Sequence, residues 1–139
     1  MFQHILVPTD FSSSSKRTLE IAVNIAKLSK GNVSLLHIIK TIPNTDFEEF
    51  QDFYSKLERR AEQEMDRLIG PYHKGKVGLE PRIIYGNRVQ EILRFATDQQ
   101  VDLIVMTSHK IDLAEPAQGW GTISYKVGVL APCPIMLVK

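Results

Sequence analysis

The sequence predicts an α/β fold: an open, parallel five-stranded sheet with helices on both faces, in one domain spanning residues 1–139. Three observations predict it. Short apolar runs rich in branched residues recur along the chain, and helix-period segments separate them. No internal repeat and no low-complexity linker interrupts the alternation. Strand, helix, strand, repeated to the end, means βαβ units, a parallel sheet and right-handed crossovers.

Each element has its own signal. "HILV" (4–7) is a short apolar run ending at Pro8, which suits a buried strand. "DFSSSS" then offers several helix caps before Leu19, Ala22, Val23 and Ala26, whose spacing draws one apolar stripe; Gly31 is expected to stop this helix. "VSLLHII" (33–39) reads as a second buried strand. After the loop "TIPNTD", with Asp46 as a cap, a long helix is expected over 47–69, its stripe formed by Phe50, Tyr54, Leu57, Ala61, Met65 and Leu68. "GPYHKGKVG" ends it. "LEPRIIYG" (79–86) is a weaker strand, because Pro81 cannot donate to a ladder and belongs at an edge or a strand start. Asn87 caps a helix carrying Val89, Ile92, Leu93 and Ala96. "VDLIVMTS" (101–108) is the most strand-like run. "HKIDLAEPAQGWG" has no clean period, a helix is expected over 122–130, and "CPIMLVK" (133–139) closes the chain as a strand.

Composition bounds the function. Hydrophobic residues make up 43% and charged residues 24%, ordinary for a soluble globular protein. The formal net charge of +1 supplies no field for holding nucleic acid or an anionic membrane surface. No apolar run approaches the roughly 18 residues of a membrane span, and "MFQHILVPTD" lacks a secretory pattern, so the expected location is the cytoplasm. The single Cys133 can form no internal disulfide and reads as a packed apolar residue. The four histidines (4, 37, 73, 109) have no metal-ligand spacing.

In parallel sheets of this kind ligands bind beyond the carboxyl ends of the strands, where strand order reverses. Three segments meet that description: Pro8-Thr9-Asp10, the run Thr107-Ser108-His109-Lys110, and the turn into the last helix, Gly121-Thr122-Ile123-Ser124. His37 and Ile38 are candidates for a nearby wall. Asp10 suits a ribose or a divalent cation, while Asp10 or Ser12 equally suits the cap of the first helix; the two roles coexist. "GWGTIS" supplies glycines for close backbone approach, free N–H groups at a helix start and two hydroxyls, the ingredients of an anion cradle; a plain glycine turn with a Thr or Ser cap accounts for it too. It comes too late in the chain for a dinucleotide fingerprint. Trp120 suits either stacking on a base or plugging the loop. No P-loop and no nucleophile–base arrangement is present.

Taken together, "HILVPTDFSSSSKRTLEIAVNIAKLSKGNVSLLHII", "VDLIVMTS" and "GTISYKVGVLAPCPIMLVK" resemble the universal stress protein family over nearly the whole chain. The resemblance implies a Rossmann-like sheet of strand order 3-2-1-4-5, and a homodimer paired through the last strands, here Pro134 to Lys139. One branch of that family binds ATP through the pattern G-two residues-G-nine residues-G-[S/T]. Gly121-Thr122 match its last pair; Thr107 and Lys110 stand where its first two glycines fall, and ten residues separate Lys110 from Gly121. Pro8, Thr9 and Asp10 match the adenosine side, and Ile38 falls where valine is usual. The resemblance thus implies ATP or another adenine nucleotide, with magnesium, as ligand, the Lys110 ammonium and His109 offsetting part of the missing glycine cradle. The alternative is the other branch, a nucleotide-free dimer that acts as an interaction module toward a regulatory protein. No general base or arginine finger is identifiable, so turnover would be at most slow ATP hydrolysis.

Overall fold

A computed structural model describes residues 1–108 and 122–139. The elements follow in the expected order: β1 (His4–Pro8), α1 (Ser15–Ser29), β2 (Asn32–Lys40), a 3-10 turn (Glu48–Phe50) leading into α2 (Gln51–Ile69), a second 3-10 turn (Gly70–Tyr72), β3 (Leu79–Gly86), α3 (Arg88–Asp98), β4 (Leu103–Thr107), α4 (Ile123–Leu130) and β5 (Ile135–Val138). The five strands form one parallel sheet of order β3-β2-β1-β4-β5.

Alternation along β1 shows how the sheet is covered. Ile5 and Val7 point to one face and pack with Leu19, Ala22, Val23 and Ala26 of α1 and with Met65 of α2. Leu6 points to the other and packs with Ile92, Phe95 and Ala96 of α3 and Val127 of α4. β3, with Pro81, is an edge strand, where a missing N–H costs no central ladder bond. No helix among the described residues is long and apolar enough to cross a membrane.

Several details differ from the expectation. Neither Asp10 nor Ser12 caps α1 with its side chain: the helix starts at Ser15 with no side-chain cap, and Asp10 Oδ1 instead accepts from the Ser12 N–H at 2.9 Å in the loop before it. The left-handed residue ending α1 is Lys30 (φ 60°), not Gly31. Gly31 is needed for a different reason, because a Cβ there would run into the carbonyl oxygens of Phe2 and Gln3. The last strand is shorter than 133–139, spanning Ile135–Val138. Asn87 caps α3 as expected, its Oδ1 accepting from Gln90 N–H at 3.1 Å. Asp46 caps neither the 3-10 turn nor α2: its Oδ1 accepts from Glu48 N–H at 3.0 Å, closing a turn two residues on, as Asp10 does with Ser12.

The middle of the sheet is joined across a long sequence span. The Asp102 carboxylate accepts from the backbone N–H groups of Gln3 (2.9 Å) and His4 (3.0 Å), and the Asp102 N–H returns a bond to the His4 carbonyl at 3.0 Å. Burial pushes the Asp102 pKa up, but the backbone donors outweigh it and hold the carboxyl below its usual range. From this clamp the β1–β4 register runs only through Ile5–Leu103 and Leu6–Ile104.

Candidate functional site

Strand order reverses between β1 and β4, since the crossover after β1 leads to β2 on one side and the chain returns to β4 on the other. Past the Leu6–Ile104 pair a cavity of about 140 Å³ opens between the two strand ends. β1 and the residues after it contribute Pro8, Thr9 and Asp10; β2 contributes Leu36 and Ile38; β4 contributes Met106 and Thr107. Arg88 and Ile92 close it from α3, and Ile123 from the first turn of α4. The floor is apolar and the rim is polar, the usual make-up of a small-molecule site.

The rim is held by its own hydrogen bonds. The Thr9 N–H donates to the Leu36 carbonyl at 2.9 Å, which prolongs the β1–β2 ladder by one residue. Its hydroxyl donates to Ser15 Oγ at 2.9 Å and accepts from the Phe11 N–H at 3.1 Å. His37 Nδ1 lies 2.8 Å from the Thr9 carbonyl. A carbonyl only accepts, so Nδ1 carries the proton and Nε2 is left as an acceptor. The His37 ring packs on Phe11 at a centroid distance of 4.2 Å. Burial depresses its pKa; the Thr9 bond opposes this, Arg88 adds to it and Asp10 opposes it.

On the β4 side, Thr107 and Thr18 hydroxyls are 2.7 Å apart, and Thr18 also donates to the Ser14 carbonyl at 3.1 Å. With the Thr18 proton directed there, Thr107 is the donor of the pair. Ser108 is anchored by its N–H to the Val138 carbonyl (2.8 Å) and receives Lys139 Nζ on its hydroxyl (3.3 Å). Thr122 caps α4, accepting from the Tyr125 N–H at 3.3 Å, and Ser124 is buried with its hydroxyl 3.4 Å from that of Thr122.

The cavity therefore brings together six of the residues singled out in the sequence: Pro8, Thr9, Asp10, Ile38, Thr107 and Ile123. Ser108, Thr122 and Ser124 are not part of its lining, although each adjoins a residue that is. His109, Lys110 and Gly121, with Gly119 and Trp120, lie outside the described residues. Sequence reasoning missed Leu36, Arg88, Ile92 and Met106. The first and last were hidden inside apolar strands; Arg88 carried a usable signal, because it follows Asn87 at the start of the helix that must cross the sheet to reach β4.

No group of three or more His, Cys, Asp or Glu residues is placed to hold a metal ion among the described residues. Cys133 is half-buried against the α3–α4 core, and burial pushes its thiol pKa up, away from the reactive thiolate.

Comparison with known proteins gives a consistent picture. A model of the universal stress protein family matches residues 1–139. A universal stress protein of Thermus aquaticus is 30% identical, with all of both chains covered. Among solved structures, MJ0577 of Methanocaldococcus jannaschii superposes with a TM-score of 0.84 at 30% identity, covering 100% of this chain and 96% of that one. A universal stress protein family protein from Arabidopsis thaliana, solved with AMP bound, superposes with a TM-score of 0.71 at 21% identity, covering 99% and 91%.

Proposed function

Since the chain belongs to the universal stress protein family, we propose that it binds an adenine nucleotide between the ends of β1 and β4 and, as a homodimer, presents its occupied or empty state to a regulatory protein partner. The observation that carries this reading is the cavity at the point of strand reversal, apolar below and polar at the rim. An apolar cavity of about 150 Å³ holds one benzene ring, so 140 Å³ suits a base and not a whole nucleotide. In this reading the base lies over Ile38, Ile92 and Met106, and Asp10 accepts from ribose hydroxyls. The phosphates lead outward past Thr107, Ser108, Thr122, Ile123 and Ser124 toward His109, Lys110 and Gly121. Asp10 is the carboxylate lining the cavity among the described residues and would hold a magnesium ion accompanying a triphosphate. The AMP carried by the Arabidopsis relative supports an adenine nucleotide over other anions.

One observation favours a second reading, a nucleotide-free interaction module. Thr107 and Thr122, the hydroxyls nearest the phosphate path, are engaged within the protein, one with Thr18 and the other as a helix cap. Thermal unfolding with millimolar ATP and magnesium separates the two. A nucleotide at about 100 times its dissociation constant raises stability by roughly 2.7 kcal/mol. The Asp10→Ala variant, which loses charge-assisted bonds to the ribose, is expected to forfeit about 1.5–3 kcal/mol of binding free energy. An unchanged melting temperature with both ATP and AMP would leave the interaction module standing.

A further inference from the structure

A second and larger cavity, about 850 Å³, lies on the α2 side of the nucleotide cleft and shares Asp10, Ile38 and Arg88 with it. Its size falls within the 300–1,000 Å³ of ordinary small-molecule sites. Two kinds of side chain line it. Phe11, His37 and Phe53 give it an aromatic wall, while Lys40, Arg60 and Arg88 give it three cations.

The aromatic wall is maintained at a cost. Phe11 has φ of 61°, a left-handed conformation that strains a residue with a Cβ, and it is this conformation that accompanies its ring packing on His37. Phe53 remains exposed at the cavity mouth, touching Tyr54 with a ring separation of 5.6 Å. The cations are exposed and therefore open to a ligand. Arg67, which also lines the cavity, has its charge answered by Glu64 at 3.4 Å. Among the described residues none of Lys40, Arg60 and Arg88 is within ion-pairing distance of a carboxylate. Beyond the Arg67–Glu64 pair, the described residues of the lining carry three positive charges and one carboxylate, Asp10, which also has other contacts.

We propose that this cavity is a second binding site, for a small organic anion with a flat aromatic body, whose ring lies against Phe11, His37 and Phe53 and whose charge is met by Lys40, Arg60 and Arg88. Cation and ring recognition reinforce each other here, because an arginine beside aromatic faces both pairs with the anion and stacks on its ring. The site does not depend on the nucleotide reading: its ligand is held mainly by α2, the end of β2 and Phe11, and only the Asp10–Ile38–Arg88 wall, of which Arg88 alone is assigned to the ligand, is common.

Isothermal titration calorimetry with naphthalene-1-sulfonate tests it, with 1-naphthylmethylamine and inorganic sulfate as the two controls. The sulfonate is expected to bind at least tenfold more tightly than either control. Charge reversal at the exposed positions, in Arg60→Glu and separately in Lys40→Glu, is expected to weaken it at least tenfold while leaving any ATP-induced rise in melting temperature unchanged. Binding that survives both reversals, or a cationic or sulfate control that binds as well, overturns the proposal. So does displacement of the sulfonate by ATP without any effect of the reversals, since the probe then sits in the nucleotide cleft. Sulfonate binding in the absence of an ATP shift leaves this site standing and removes the nucleotide reading alone.

Discussion

His37 links the rim of the cleft to the pH of the solution. In the folded protein its pKa lies below the ordinary 6.5, chiefly through burial, so native protein binds fewer protons than unfolded chain between the two values. Stability from this residue is therefore fully present above about pH 6.5, declines as pH falls toward the folded value, and declines no further below it. A His37→Gln variant, whose amide keeps a donor for the Thr9 carbonyl, is expected to lose that part of the slope between about pH 7.5 and about pH 5 in urea unfolding; parallel curves for the two proteins would mean that His37 does not titrate in this way. The same residue shows what could be read in advance. Its position on β2 and its place at the cleft edge were legible, because strand ends are where parallel sheets bind. Its tautomer, its Phe11 partner and the Arg88 charge were not, because each depends on a loop conformation or a crossover that brings distant residues together. Asp10 illustrates the reverse error: a carboxylate ahead of a helix looks like a cap, but here the helix begins at Ser15 and the carboxylate closes a turn with Ser12.

At the level of elements the termini were easier to foresee than the reasons for them. Asn87 caps as its residue type suggests, since a short polar side chain that accepts from a free N–H is a local property, whereas Asp46, of an equally suitable type, closes a turn instead because the helical segment begins beyond it. Gly31 was located correctly as the end of α1 but for the wrong cause. Lys30 takes the left-handed conformation, and Gly31 lets the chain pass the Phe2 and Gln3 carbonyls as it enters β2. A close approach between segments nearly 30 residues apart leaves no trace in local pattern. Gly31→Ala is accordingly expected to cost about 1–3 kcal/mol, the range of overpacking a tight backbone contact, seen as a lower urea midpoint with unchanged slope. An unchanged midpoint would show that the Phe2–Gln3 segment yields freely.

For the whole molecule, alternation of strand and helix was enough to give the class, and the resemblance supplied the strand order found in the sheet. The association state belongs to this scale as well. β5 is an edge strand with Met136 39% and Leu137 40% exposed, beside Val129 and Leu130 of α4 at 65% and 60%. Such an apolar edge invites pairing, and a symmetric dimer would cover it. Sedimentation at micromolar concentration is expected to show a dimer that Leu137→Glu converts to monomer; a monomeric parent protein removes the dimer from the proposal. The clamp between Asp102 and the start of β1 carries a consequence for how the protein is made. Its partners are 98 residues apart, and β4 cannot join β1 until the chain has been made as far as Thr107. During synthesis, at roughly 5–20 residues per second, β1, β2 and β3 are complete while the far side of β1 is still an open edge. The cleft, with walls from residues 8 to 123, has no existence in that interval. A ligand there would thus favour only chains that reach at least residue 123, because a shorter one lacks a wall of its site.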